Sequence, residues 1–223
     1  HNEKQSCNRC EATSDASSEV ALHSGAVLEN HELVTYQSLG QTRGPVLQYD
    51  SLRADPRHIV HFGYDNVQAD PDRRLIADMS VMRGEFEFQV PGFAGGEFGL
   101  DGGEHFWSIP AGGGNIDAAL QIDLRTQPSG RYTYTQTTGV HRFNGEMFAG
   151  TSSDAQGELI HINSIDSPFG AGWELAGIRN LVENPDGSVL LIDGDGTQLL
   201  YEPSPGQADA FVSPPADFSV LER

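Results

Sequence analysis

The sequence is poor in basic residues, and this deficit argues against two classes of partner. Among 223 residues there are 13 lysines and arginines against 32 aspartates and glutamates, so the formal net charge is −19. Lys4 is the only lysine. A field of this sign repels the phosphates of nucleic acids and anionic membrane surfaces. It favours solubility and attracts cations, and its plainest interpretation is a solvated acidic surface.

Long apolar runs are also missing. No stretch approaches the roughly 20 consecutive apolar residues that a membrane-spanning helix needs, and no N-terminal signal peptide is recognisable. Membrane insertion is therefore not expected. The chain reads as a mature segment of a longer protein.

Cysteine is scarce, since Cys7 and Cys10 in the stretch CNRC are the only two. A single C-x-x-C supplies half of a zinc site or closes a small disulfide loop. His1 offers a third zinc ligand, but no fourth ligand is apparent. We favour a disulfide between Cys7 and Cys10, or the remnant of a preceding module.

Motifs of nucleophilic and metal-dependent catalysis are absent too. There is no G-x-S-x-G, no H-E-x-x-H and no phosphate-binding loop, and we expect no enzyme. His58 and His61 lie on a predicted strand, where their spacing directs them to opposite faces and argues against a shared metal.

The glycine-rich stretch from Asp101 to Trp107 is interpreted first as a surface loop or a contact with a neighbouring domain. Two alternatives stay open there. Glu104 and His105 offer an acid–base or metal site, and an exposed Trp107 offers a face on which sugar rings stack.

Turn-forming residues are plentiful, with 26 glycines and 12 prolines between short apolar runs. Alternation is clearest in GEFEFQV, where Phe86, Phe88 and Val90 share one face of a half-buried strand. The run 115–126 also fits a strand. Only the short stretch 174–180 is compatible with a helix. The pattern predicts an all-β fold, an antiparallel β-sandwich followed by a smaller β-hairpin unit.

Four regions are expected along the chain. Residues 1–18 form a polar tail or linker, 19–156 the β-sandwich, 157–205 a smaller β unit, and 206–223 a proline-rich tail. The stretch SVLLIDGDGTQLLYE within the smaller unit is the strongest hairpin signal, because two β-prone runs flank a tight GDG turn.

The DGDG turn also raises the question of a calcium site. Asn184, Asp186, Asp193 and Asp195 supply oxygen ligands of the kind that Ca²⁺ prefers. The longer loop of an EF-hand is missing. The simpler interpretation is a hairpin turn that uses aspartate and glycine for their backbone preferences.

A second tryptophan lies in another glycine-rich stretch, DSPFGAGWELAGI at 166–178. Pro168 is expected to start a turn, and Gly170 and Gly172 to relieve backbone strain. Phe169 and Trp173 would then fold inward as anchors of a small core. On this interpretation Trp173 is buried, and its truncation costs about 3–5 kcal/mol.

The same stretch carries a resemblance to a known family. The segment from Gly157 to Pro203, with SPFGAGW followed by DGSVLLIDGDG and an aromatic hairpin strand, resembles the region that precedes the repeats in Rhs/YD-repeat proteins. Upstream, the stretch 24–56 and PSGRYTYTQTTGV are similar to the family more weakly. The layout is also similar to the teneurin ectodomain, where a transthyretin-like sandwich and a plug-like segment precede a YD-repeat barrel.

The resemblance implies a non-catalytic structural module of a large secreted or cell-surface protein, which supports or seals the end of a repeat shell. Its partner would be the neighbouring YD-repeat shell of the same polypeptide, with a cell-surface glycan or protein as a further possibility. The alternative that stays open is a stand-alone adhesion or carbohydrate-binding sandwich, assisted by calcium.

Overall fold

The fold is all-β and sandwich-like, as the alternating pattern predicts. The computed structural model describes residues 17–22, 24–92, 103–207, 209–215, 217 and 219–222. In this part of the chain there is one four-residue helix, α1 (Ser51–Ala54), whose N-cap Asp50 accepts a hydrogen bond from the Leu52 amide. The remaining regular structure is strands. In chain order they are β1 Ser17–Ala21, β2 Ala26–Glu32, β3 Tyr36–Ser38, β4 Gln41–Arg43, β5 Val46–Asp50, β6 Arg57–Val67, β7 Arg73–Arg83, β8 Phe86–Gln89, β9 His105–Ser108, β10 Gly114–Asp123, β11 Gly130–Phe143, β12 Phe148–His161, β13 Trp173–Leu175, β14 Arg179–Glu183, β15 Val189–Asp193, β16 Gln198–Pro203 and β17 Phe211–Val212.

The strands form several antiparallel sheets. The largest has the order β12-β11-β7-β8, and β9 also pairs with β7. Strands β10 and β6 form a two-stranded ribbon, and β3 and β4 form a hairpin. The N-terminal sheet has the order β1-β2-β5-β13, and the C-terminal sheet has the order β14-β15-β16-β17.

The main core lies between the β10–β6 ribbon and the largest sheet. Strand β10 alternates strictly between buried and exposed residues, because its inner face packs on this sheet while its outer face meets solvent. The buried side chains of this core come from β7, β10, β11 and the end of β8. They are Ala77, Met79, Val81, Val90, Leu120, Ile122, Leu124 and Tyr132.

The predicted alternation of GEFEFQV is only partly right. Val90 is buried and Phe88 packs on the main core, but the Phe86 side chain is 81% exposed. The reason is a tight turn at Gly84, with φ of 62°, which joins β7 to β8 and puts Phe86 near the tip of the hairpin. A residue at a hairpin tip lies beyond the facing sheet, so alternation alone does not bury it.

The boundary expected at residue 157 falls inside a strand. Strand β12 runs through that position without a break, and β13 pairs with β5 of the N-terminal sheet. A small second core lies between the C-terminal sheet and the end of β12. Its buried side chains are Ile162, Leu190 and Ile192. The two regions therefore share strands and sheets rather than meeting at a linker.

One further local expectation is corrected here. Residues 174–180 are not helical, because β13 ends in a turn that leads directly into β14. The proline-rich tail packs on the C-terminal sheet, since β17 pairs with β16 and the Tyr201 hydroxyl bonds the Asp217 carboxylate at 2.9 Å. The hairpin predicted at 188–202 is confirmed as β15 and β16. No helix in the described ranges has the length and apolar character to cross a membrane.

Candidate functional site

The glycine-rich stretch 163–178 forms a corner between β12 and β14. The Gly170 amide donates to the Ser167 carbonyl at 3.0 Å, so Pro168 occupies the second position of a β-turn as predicted. A second turn follows, closed by the Trp173 amide and the Gly170 carbonyl at 3.0 Å. Gly172 has a φ of 77°, and a side chain there would come within 2.7 Å of the Asp50 carbonyl. Glycine is needed at this position both for its conformation and for the close approach of β5.

The two aromatic residues of the corner behave differently from each other. Trp173 is half-buried, lies opposite Tyr49 in the β5–β13 ladder and contacts the rings of Tyr49 and His31 at 5.2 and 5.1 Å. Phe169 is 48% exposed, so its expected inward packing is wrong. The turn that begins at Pro168 carries Phe169 at its outer corner, away from both cores. Trp173 anchors the corner to a sheet edge rather than filling a core.

A buried arginine holds the corner against the neighbouring hairpin. Arg53, from α1, is only 6% exposed. Its Nη1 donates to Oε2 of Glu174 at 3.0 Å, and its Nη2 donates to the Gly196 carbonyl at 2.8 Å. The other carboxylate oxygen of Glu174 accepts from the Ser164 hydroxyl at 2.6 Å. Each charge is thus paired and hydrogen-bonded, which is the condition for keeping an ion pair out of water.

The predicted calcium ligands do not come together. Asn184 and Asp186 lie in the β14–β15 turn and Asp193 and Asp195 in the β15–β16 turn, at opposite ends of a five-residue strand. A strand of that length separates its ends by roughly 15 Å. No group of three or more His, Cys, Asp or Glu side chains that could hold a metal occurs within the described ranges. The four candidate ligands therefore do not share one calcium site, and the geometry fits the simpler interpretation, two hairpin turns.

The oxygens of Asp193 are instead occupied by protein donors. Its Oδ1 accepts from the Gly177 amide at 2.9 Å and the Asp195 amide at 3.1 Å, and its Oδ2 accepts from Nε of Arg179 at 3.0 Å. Burial by itself would raise the pKa of Asp193, but these hydrogen bonds outweigh it and hold the pKa below its ordinary value. Asp195 caps its own turn by accepting from the Thr197 amide.

Asn184 and Asp186 are used by a second arginine. The Arg131 amide donates to Oδ1 of Asn184 at 2.9 Å, and its Nη1 lies 3.3 Å from Asp186. The same guanidinium binds both carboxylate oxygens of Glu158 at 2.8 Å and Glu202 at 2.7 Å. Arg131 therefore ties β11, β12 and two segments of the C-terminal sheet into one network.

Two histidines form a pair, the buried His161 at the end of β12 and the half-buried His58 in β6. Nε2 of His161 lies 3.1 Å from the Gln127 carbonyl, and its Nδ1 lies 3.2 Å from Nε2 of His58. Burial lowers the pKa of His161 to about 4, so its ring is neutral at pH 7. The proton of a neutral ring must then sit on Nε2 and point at the carbonyl, and His58 must donate to Nδ1.

The pairing of His58 with His161 was not apparent from the sequence, because the two residues are far apart along it. His61 lies exposed on the opposite face of β6, as its spacing from His58 predicts. The two histidines of HIVH therefore have separate surroundings.

The stretch ending in Trp107, for which a sugar-stacking face was an open alternative, ends in a strand. Trp107 lies in β9, pairs with Leu75 of β7 and packs on Phe62 with ring centroids 5.5 Å apart. Its indole is half-buried and packs on two buried clusters of the sandwich, the main core and a neighbouring cluster of Val67, Leu75, Ile116 and Ala118. Nε2 of His105 lies 3.0 Å from the Pro91 carbonyl. Asp101, Cys7 and Cys10 lie outside the described residues, and the disulfide stays a prediction.

An open cleft of about 680 Å³ lies beside the corner. This corner cleft is lined by three segments, 125–129, 163–169 and 174–180. The exposed side chains of Phe169 and Ile178 form part of its lining. Asn163 joins two of the segments, because its Nδ2 donates to the carbonyls of Arg125 and Gln127 at 2.8 and 2.9 Å. Its Oδ1 accepts from the Ile165 amide at 3.1 Å. The walls of the cleft are therefore fixed by hydrogen bonds.

Sequence reasoning singled out the corner but missed the residues that hold it. Arg53, Ser164 and Glu174 come from separate segments, and no local pattern links them. Asn163 left a weak signal, since an asparagine just after a strand commonly bonds the backbone two residues on. Asn163 does accept from the Ile165 amide, but this local pattern gives no information about its bonds to the 125–129 loop.

Comparisons with protein-family models, with curated proteins and with solved structures find no match to this chain.

Proposed function

We propose that this chain is a non-catalytic structural module of a large secreted or cell-surface protein of the Rhs/YD-repeat type. In this role it supports or seals the end of a repeat shell formed by the same polypeptide. The proposal starts from the resemblance of the segment 157–203 to the region that precedes the repeats in that family.

The observation that carries the proposal is the way this segment is built into the sandwich. Strand β12 is continuous across its start, β13 completes the sheet of β5, and Arg53 and Arg131 bind its two hairpin turns from outside it. A module that closes a shell has to hold the connecting segment in one orientation. The shared strands and the two arginine networks supply such a connection.

The gene that encodes the chain tests the proposal directly. We expect the reading frame to continue past Arg223 into tyrosine-containing repeats of the YD type. A parent gene that ends at this point, or that continues into unrelated sequence, contradicts the proposal.

Limited proteolysis of the parent protein tests the role of the connection. Arg131→Ala removes the network around Glu158, Asp186 and Glu202, and we expect faster cleavage of the boundary between module and shell. Arg57→Ala is the control, because this exposed residue forms its ion pair with Asp55 and touches neither hairpin turn. Equal cleavage rates for the two variants would argue against a sealing role.

A further inference from the structure

The corner cleft has the features of a small-molecule site. Its volume of about 680 Å³ falls in the range of ligand pockets, roughly 300–1,000 Å³. It is concave and open to solvent, and its walls are joined by the hydrogen bonds of Asn163 to the 125–129 loop. A pre-formed cleft of this kind loses little conformational entropy when a ligand binds.

An aromatic ring stands at the surface of this cleft. Phe169 is 48% exposed, and the hydrogen-bonded turn from Ser167 to Gly170 fixes its backbone. Ile178, across the cleft, is also exposed. An exposed aromatic ring beside a cleft of mixed polar and apolar lining suits ligands that have one apolar and one polar face. Sugar rings are such ligands, because their axial C–H groups stack on aromatic rings while their hydroxyls project sideways.

Polar groups with free hydrogen-bonding capacity surround that ring. The side chains of Gln127, Asp166 and Asn180 line the cleft and form no hydrogen bond or ion pair within the part of the chain that the structure describes. Amide and carboxylate groups are planar, and each offers two positions for pairing with neighbouring hydroxyls. They are well suited to vicinal hydroxyl pairs.

The charge of the cleft selects among saccharides. Arg125 is held by Asp123 at 2.6 Å, and Glu174 is held by Arg53 at 3.0 Å, so both of these charges are already compensated. Asp166 is an acidic residue with no hydrogen-bond or ion-pair partner in the described ranges, and the chain as a whole carries −19. An anionic glycan is therefore repelled.

From these observations we infer that the corner cleft binds a neutral saccharide, with Phe169 as the stacking platform and Gln127, Asp166 and Asn180 as hydroxyl partners. This inference does not depend on the proposed role at the end of a repeat shell. A module of a secreted or surface protein and a stand-alone module could both use the same cleft.

Amide chemical shifts of ¹⁵N-labelled protein test the inference. The probes are maltose, cellobiose, lactose and chitobiose, with a heparin disaccharide as the anionic comparison and Ac-Leu-Leu-NH₂ as an apolar peptide. We expect at least one neutral disaccharide to shift amides of 125–129 and 163–180, and the heparin disaccharide to shift none of them. Shifts with the peptide alone, or no shifts with any neutral sugar, would overturn the inference.

Matched phenylalanine variants separate stacking from general effects. Phe169→Ala should weaken the sugar that binds by about tenfold, equivalent to roughly 1.4 kcal/mol. Phe86→Ala removes an even more exposed ring that is not part of the cleft, and should leave the affinity unchanged. Asp166→Asn should weaken binding by about threefold, because a charged acceptor forms the stronger hydrogen bond. Equal affinities of wild type and the Phe169 variant would also overturn the inference.

Discussion

The molecule contains two glycine-rich stretches with a tryptophan in each, and the two tryptophans have different neighbours. Trp107 lies in a strand that pairs with the central strand β7, and its indole reaches both buried clusters of the sandwich. Trp173 lies in a three-residue strand at the edge of the N-terminal sheet and contacts Tyr49 and His31. Both tryptophans are half-buried, but Trp107 packs on the sandwich clusters whereas Trp173 anchors a sheet edge.

The difference shows that glycine content reports turns and close approaches but not burial. Burial depends on which strand becomes the neighbour. Strand β7 lies in the middle of the largest sheet, with the β10–β6 ribbon covering its inner face, whereas β13 has β5 on one side only. The second stretch accordingly leaves an aromatic residue, Phe169, exposed at its turn.

The comparison predicts the largest loss of stability at Trp107. Trp107→Ala should lower the free energy of unfolding by about 4 kcal/mol, because it leaves a cavity between two packed clusters. Urea unfolding monitored by circular dichroism measures this loss. Phe106→Ala, on the outer face of the same strand, is the control and should cost about 1 kcal/mol. Equal losses for both variants would show that Trp107 is not a core residue.

The second stretch depends more on a charged group than on its tryptophan. Arg53→Met should cost about 3 kcal/mol, because it strands the Glu174 carboxylate and the Gly196 carbonyl in a half-buried site. Hydrogen exchange of the amides at 193–197 should accelerate most. Arg142→Met, which removes an exposed ion pair with Asp70, should cost under about 1 kcal/mol. A similar small cost for Arg53→Met would mean that the corner is held by other contacts.

Acid should lower the free energy of unfolding through the buried His161, which lies just before the second stretch. The pKa of His161 is about 4 in the folded protein against 6.5 for an ordinary histidine, so the unfolded chain takes up the proton first. This contribution is complete above pH 6.5 and is lost as the pH falls towards 4, by up to roughly 3 kcal/mol. Arg125 holds the pKa of Asp123 at about 2, so protonation of Asp123 destabilises the fold at a lower pH than protonation of His161 does.

Variants of two histidines identify the source of that pH dependence. His161→Gln should flatten the slope of unfolding free energy against pH between 6.5 and 4. His61→Gln changes an exposed histidine on the opposite face of β6 and should leave the slope as it is. A slope that survives the His161 substitution would assign the acid sensitivity to another group.

Trp173 provides the smallest effect and the sharpest test of the comparison. Trp173→Ala should cost about 2 kcal/mol, less than the Trp107 variant, because the Trp173 indole contacts two rings at a sheet edge whereas the Trp107 indole packs on buried clusters. Thermal unfolding compared with the Trp107 variant measures the difference. A loss as large as that of Trp107→Ala would restore Trp173 as a core anchor.

Much of the fold was predictable because strands leave a local signature. The alternation of Ile116, Leu120 and Ile122 identifies β10, and the tight turn between 193 and 197 identifies the β15–β16 hairpin. The all-β class follows from the same signal. Phe86 was placed wrongly, since alternation specifies a face of a strand but not whether another sheet covers that position.

The candidate site was predictable only in part. Pro168, Gly170 and Gly172 marked the corner, because turns need these residues for reasons contained in the turn itself. The cleft was not predictable, since its walls come from segments some 40 residues apart that Asn163 joins. Asn184 and Asp193 suggested calcium for a similar reason: composition gives the ligand types but not their positions.

Local sequence thus sets the strand pattern, the turns and the acidic character of this protein, because each depends on neighbouring residues or on a sum over the chain. The tertiary structure decides which aromatic is covered, which carboxylates meet an arginine, and where a cleft opens. Those outcomes depend on pairing between distant strands, such as β13 with β5, and on the low tolerance of a buried charge for an absent partner. Phe169 is exposed, although the sequence predicted that it folds inward, for that reason.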